Sequence, residues 1–140
     1  MEENEQIINK VANSPLVTFD LEQYFEPGER VVLDIQHQLY EGLVLREKEF
    51  RHFIKNNDWS QYKDKLVAIT CGTEAIVPTW AYMLLAIALS PFAKKIVFGS
   101  LIEMEIETYR QALREIDWPS YRGAKVVIKG CSKVDVPVGV

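Results

Sequence analysis

Apolar residues recur along this chain with two different periods. Helical spacing governs three segments. In 46–56 the apolar positions are Phe50, Phe53 and Ile54, with charges between them. In 101–116 they include Met104, Ile106, Tyr109, Leu113 and Ile116. The third segment, 79–89, reads TWAYMLLAIAL and is apolar nearly all round, which predicts a helix deep in the core. Short Val- and Ile-rich runs predict strands at 30–35, 66–70, 94–100 and 125–129, with 38–45 as a further candidate. The near-continuous runs at 66–70 and 125–129 fit strands buried on both faces. Segment 14–25 reads as an edge strand or a turn of helix, and 26–29 as a turn. Strands alternating with helices predict an α/β protein: one domain over 1–140, a mainly parallel sheet and flanking helices.

The same pattern is written twice. Residues 49–78 align with 108–137 without a gap at an offset of 59, and eight of the 30 positions are identical. They are Arg51/Arg110, Asp58/Asp117, Trp59/Trp118, Tyr62/Tyr121, Val67/Val126, Ile69/Ile128, Val77/Val136 and Pro78/Pro137. Chance pairing gives roughly two at ordinary residue frequencies. Two copies are too few for a solenoid. An internal duplication, about 39–93 and 97–140, is the reading, with 1–28 as an N-terminal extension. Copy one continues past Pro78 into an apolar helix, whereas copy two reaches Val140 three residues after Pro137. The expectation is an incomplete second copy with an uncovered apolar face, which favours a homo-oligomer or another protein partner.

Composition narrows the function classes. The 140 residues carry 20 acidic and 16 basic side chains, a net charge of −4, which argues against a nucleic-acid partner. The start, MEENEQIINK, has neither a basic nor an apolar region of a signal peptide, so the cytoplasm is the expected compartment. The apolar stretch 75–93 is bracketed by Pro78 and Pro91, which argues for a core helix over a membrane span. Two cysteines make no disulfide framework.

Candidate chemistry is sparse. Cys71 and Cys131 each follow a repeat strand, in the turns CGTEAIVP and GCSKVDVP. Ligands gather at the carboxyl ends of strands in open α/β sheets, and two thiolates from neighbouring turns suit zinc or an iron–sulfur species. Free cysteine is also a common core residue. His37, near Asp34, is a further metal or acid–base candidate, although such a histidine is more often a surface one. His52 lies among helix charges. Thr73, Glu74, Ser132 and Asp135 occupy the two turns and are the candidate ligand-binding residues; the hydroxyls also suit helix caps. The paired Asp-Trp motifs read as a carboxylate capping a turn beside a packed indole. No GxGxxG, P-loop, HExxH or nucleophile–histidine signature occurs.

The runs SPLVTFDLE, EGLVLREKEFR, YKDKLVAITC, IVPTWAYMLLA, AKKIVFG and VVIKGCS resemble a bacterial family of unknown function, the DUF2480 type, over about residues 5–138. The resemblance implies a small cytosolic α/β protein. It also implies a C-terminal helix, strand and third cysteine, which this sequence departs from by ending at VPVGV, and an association with iron–sulfur cluster assembly. The resulting reading is a non-enzymatic accessory protein in metal or sulfur handling through Cys71 and Cys131. A structural or interaction protein is the alternative, and a small-metabolite enzyme a further one.

Overall fold

The computed structural model describes residues 15–130 and 132–140. Among these residues, five strands and three helices form an α/β arrangement. The strands are β1 (Val17–Asp20), β2 (Arg30–Asp34), β3 (Leu66–Thr70), β4 (Lys95–Phe98) and β5 (Val126–Lys129). The helices are α1 (Glu47–Asn56), α2 (Thr79–Leu89) and α3 (Leu101–Arg114). Every strand pairing is parallel, as expected, but the strands divide between two sheets. One has the order β2-β3-β4 and the other pairs β1 with β5.

The three-stranded sheet is covered on both faces. Side chains alternate along a strand. Val67 and Ile69 of β3 face a core containing Phe50 of α1 and Ala81, Leu85 and Leu89 of α2. Leu66 and Ala68 face the other way, onto Met104 of α3. So β3 is buried from both sides and along both edges, which is why its sequence is an unbroken apolar run. Each fully buried aliphatic side chain there stabilises by about 1.5–3 kcal/mol. Helix α3 is also tied to β2 by a bidentate pair, Arg30 Nε and Nη2 to the Glu105 carboxylate at 2.6 and 3.2 Å.

Several sequence expectations change. Segment 38–45 is no strand. It makes a single antiparallel bridge, Tyr40 to Val44, around a tight turn with positive φ at Glu41 and Gly42. Helix α2 buries one stripe only, Ala81, Leu85 and Leu89. Met83 and Ile87 on its far side are 58% and 66% exposed, because β3 and β4 take one face and no element covers the other among the described residues. The run around β5 is not buried on both faces. Val126 is 40% and Ile128 70% exposed, against 0% and 1% for Val67 and Ile69 at the matching positions. Segment 14–25 is both things it was read as, since β1 runs straight into a 3₁₀ turn at Leu21–Tyr24. No helix among the described residues is long and apolar enough to cross a membrane.

Candidate functional site

The chain leaves β3 and β4 in opposite directions. After β3 it crosses to α2, on the Val67/Ile69 face; after β4 it crosses to α3, on the Leu66/Ala68 face. Adjacent parallel strands whose connections diverge leave a crevice at their carboxyl ends, and that is where open α/β sheets hold ligands. A cavity of 480 Å³ lies there. Its walls come from the end of β3 (Ile69, Thr70, Cys71), the start of α2 (Thr79, Tyr82, Met83) and the end of β4 (Phe98, Gly99).

Local sequence explains each wall. Gly99 has φ +141°, and a Cβ there would meet the Glu103 carboxylate at 2.6 Å, so only glycine fits between β4 and α3. Ser100 then caps α3. Its Oγ accepts the Glu103 N–H at 3.2 Å, and the Glu103 carboxylate accepts the Ser100 N–H at 2.7 Å. Bonds from the Ser100 N–H and then the Ser100 hydroxyl hold the Glu103 carboxyl below its ordinary range. On the other wall, Gly72 passes so close to Asp34 that a Cβ would meet Oδ2 at 2.7 Å. Asp34 Oδ1 accepts the N–H of both Gln36 and Gly72, each at 2.9 Å, which fastens the end of β2 to the exit of β3.

Cys71 is a free, half-buried thiol at the base of this crevice. Its sulfur lies 3.6 Å from the Thr73 hydroxyl. Tyr82 stacks edge-on against Phe98, with ring centroids 5.4 Å apart. Desolvation holds the Tyr82 hydroxyl above its usual range, and the neighbouring Cys71 adds to the effect. The site therefore offers one thiol and three hydroxyls (Thr70, Thr79 and Tyr82) between the apolar walls of Ile69, Met83 and Phe98.

Apart from this Thr73 hydroxyl contact, the other predicted site residues lie outside the crevice. Thr73 and Glu74 line a separate 510 Å³ cavity with Gly42–Leu45 and Ile76. Ser132 is engaged, because its N–H and Oγ both donate to Glu22 Oε1, with Lys133 N–H a third donor at 2.7 Å. These bonds lower the Glu22 carboxyl from 4.5 to about 2. Asp135 lines a third cavity, 560 Å³, with Phe25, Leu101 and Glu105. His37 is exposed on the 3₁₀ turn after β2, and Asp34 bonds backbone N–H groups rather than the imidazole. Cys131 falls outside the described residues. The expectation that the cysteine turns end neighbouring strands is corrected: β3 and β5 belong to different sheets. Among the described residues no group of three or more His, Cys, Asp or Glu gathers to hold a metal.

Sequence reasoning missed Tyr82, Thr70 and Phe98, because a pocket needs the order of strands and the side of each crossover. It also missed a motif that was legible. VTFDL (17–21) and VVLDI (31–35) share a pattern, and each aspartate caps the turn that follows, Asp20 to Glu22 N–H at 3.0 Å and Asp34 to Gln36 N–H at 2.9 Å. Both strands meet their partners, β5 and β3, in one register, Val17 opposite Val126 and Val31 opposite Val67.

A search of curated proteins and a search of solved structures each found no match. A family model does match, over residues 5–140, and its description is a protein of unknown function (DUF2480). The sequence resemblance and the α/β architecture thus lead to one conclusion: the chain belongs to the DUF2480 family.

Proposed function

We propose that this protein is a non-enzymatic accessory protein that holds a small cargo in the crevice between β3 and β4, with Cys71 as the group that binds it. The observation that carries the reading is the half-buried thiol at the base of a 480 Å³ cavity where the two crossovers diverge. A thiol selects soft partners. One thiol flanked by hydroxyls suits sulfane sulfur, or a soft metal ion that arrives with ligands of its own, since no further Cys, His or carboxylate among the described residues lines the cavity. Tyr82 and Thr79 would orient the cargo, and Met83 and Phe98 would shield it from water. The 59-residue correspondence is read in the same spirit as an internal duplication. In its support, each repeat tryptophan donates its indole N–H to the carbonyl five residues earlier, Trp59 to Ile54 at 2.8 Å and Trp118 to Leu113 at 3.0 Å.

The test uses a Cys131→Ser chain purified without oxygen, so that Cys71 is the only thiol. Protein-bound sulfur is read by intact mass and metal by elemental analysis, beside a Cys71→Ser counterpart. The reading expects near-stoichiometric sulfur or metal that disappears with Cys71. A free thiol and no metal, in protein that folds as well as its counterpart, would contradict it.

A further inference from the structure

β5 carries the sequence of an interior strand at an exposed edge. Its Val126 and Ile128 repeat Val67 and Ile69 of β3, which has partners along both edges. β5 pairs only with β1 among the described residues, and its two repeated apolar side chains face solvent. Backbone direction identifies the open groups. The Val17 N–H donates to the Lys125 carbonyl at 3.0 Å, so in a parallel ladder Lys125, Val127 and Lys129 turn toward β1. The N–H and C=O of Val126 and Ile128 then turn to the open side. At the matching place in the first half, the Ile69 carbonyl accepts the Gly99 N–H at 2.9 Å, at the end of β4.

Charge selects the occupant. Residues 117–135 hold four basic and two acidic side chains in a chain whose net charge is −4. Arg122, Lys125, Lys129 and Lys133 are all exposed, and of these Lys129 is already paired with Asp20 of β1 at 3.4 Å. A second copy is a poor fit, because antiparallel β5–β5 pairing centred on Val127 sets Lys125 opposite Lys129 of the other copy. We propose that β5 accepts an added parallel strand from an acidic protein partner: an extended segment with an apolar centre and Asp or Glu at its flanks. Backbone bonds to Val126 and Ile128 supply affinity, and Lys125 foremost supplies selection.

The test titrates isotope-labelled full chain with a peptide patterned on β4 but acid-flanked, Glu-Glu-Ile-Val-Phe-Glu, and with its lysine-flanked counterpart. Saturable shifts of the Val126 and Ile128 amides by the acidic peptide alone are expected. Lys125→Glu should weaken that binding about two- to fivefold and favour the lysine peptide. Ile128→Pro removes an outward N–H and should abolish binding while the β1-facing Val127 amide stays protected. Wild-type chain that binds neither peptide would overturn the proposal and leave Lys125 and Lys129 as guards of an edge strand. A dimer whose intermolecular contacts cross β5 would overturn it too, in favour of a second copy.

Discussion

The two strands that share Val-x-Ile make opposite use of it. Around β3 the pattern is enclosed by α1 and α2 on one face and α3 on the other, with β2 and β4 along its edges. Around β5 the same residue types meet β1 on one edge and solvent on the other. Side-chain chemistry therefore does not determine burial here. The number of elements packed around the strand does.

Matched substitutions are the strongest way to break this comparison. Ile69→Ala should cost about 2–5 kcal/mol, as deletions in a closed core do. Ile128→Ala should cost under about 1 kcal/mol, because most of that side chain is already wet. Urea unfolding of the two variants reads the difference, and equal losses would end the comparison. The tryptophans sharpen it at smaller scale. Both indoles donate to a carbonyl five residues back, but Trp59 is 8% exposed and Trp118 49%. Trp59→Phe should lose about 1–2 kcal/mol and Trp118→Phe about half a kcal/mol or less, by thermal melts of each variant.

The Asp-Trp caps differ at one residue, Ser60 against Pro119. Asp58 accepts the Ser60 hydroxyl at 2.6 Å and the Ser60 N–H at 3.0 Å, and these two bonds lower its carboxyl. Asp117 makes no such bond, since Pro119 stands where Ser60 does and has no N–H to give. Asp58→Ala should lower the melting midpoint, Asp117→Ala should leave it in place, and Pro119→Ser should make the second position sensitive.

The smallest effect is acid-dependent. Glu22 has its pKa depressed from 4.5 to about 2 by the Lys133 and Ser132 bonds. Its contribution is therefore present above about pH 4.5 and lost as pH falls toward about 2. Protection of the Ser132 and Lys133 amides, measured against their intrinsic exchange rates at each pH, should fall across that window. In Glu22→Gln that protection should already be low at neutral pH and should change little below.

Much of the fold was legible because it is local. Helical spacing around Phe50 and Tyr109 marked α1 and α3, and unbroken Val and Ile runs marked β3 and β5. The turn at 38–45 was misread, since its apolar run is broken by Glu41 and Gly42, both at positive φ. The exposure of β5 was not legible, because its residues are those of a buried strand. The site was legible at Cys71 and the Thr73 hydroxyl beside it. Tyr82, Thr70 and Phe98 join it through strand order and the direction of the crossovers, which no short window of sequence contains.

Hydrogen exchange of the two matched strands tests the central contrast most directly. The β3 amides of Val67, Ala68 and Ile69 should exchange only with global unfolding. In β5 the Val127 amide, turned toward β1, should be protected, while Val126 and Ile128 should exchange at least about a hundredfold faster than Val67 and Ile69. Equal protection at Val126, Ile128, Val67 and Ile69 would mean that β5 is enclosed as β3 is, and would contradict the account.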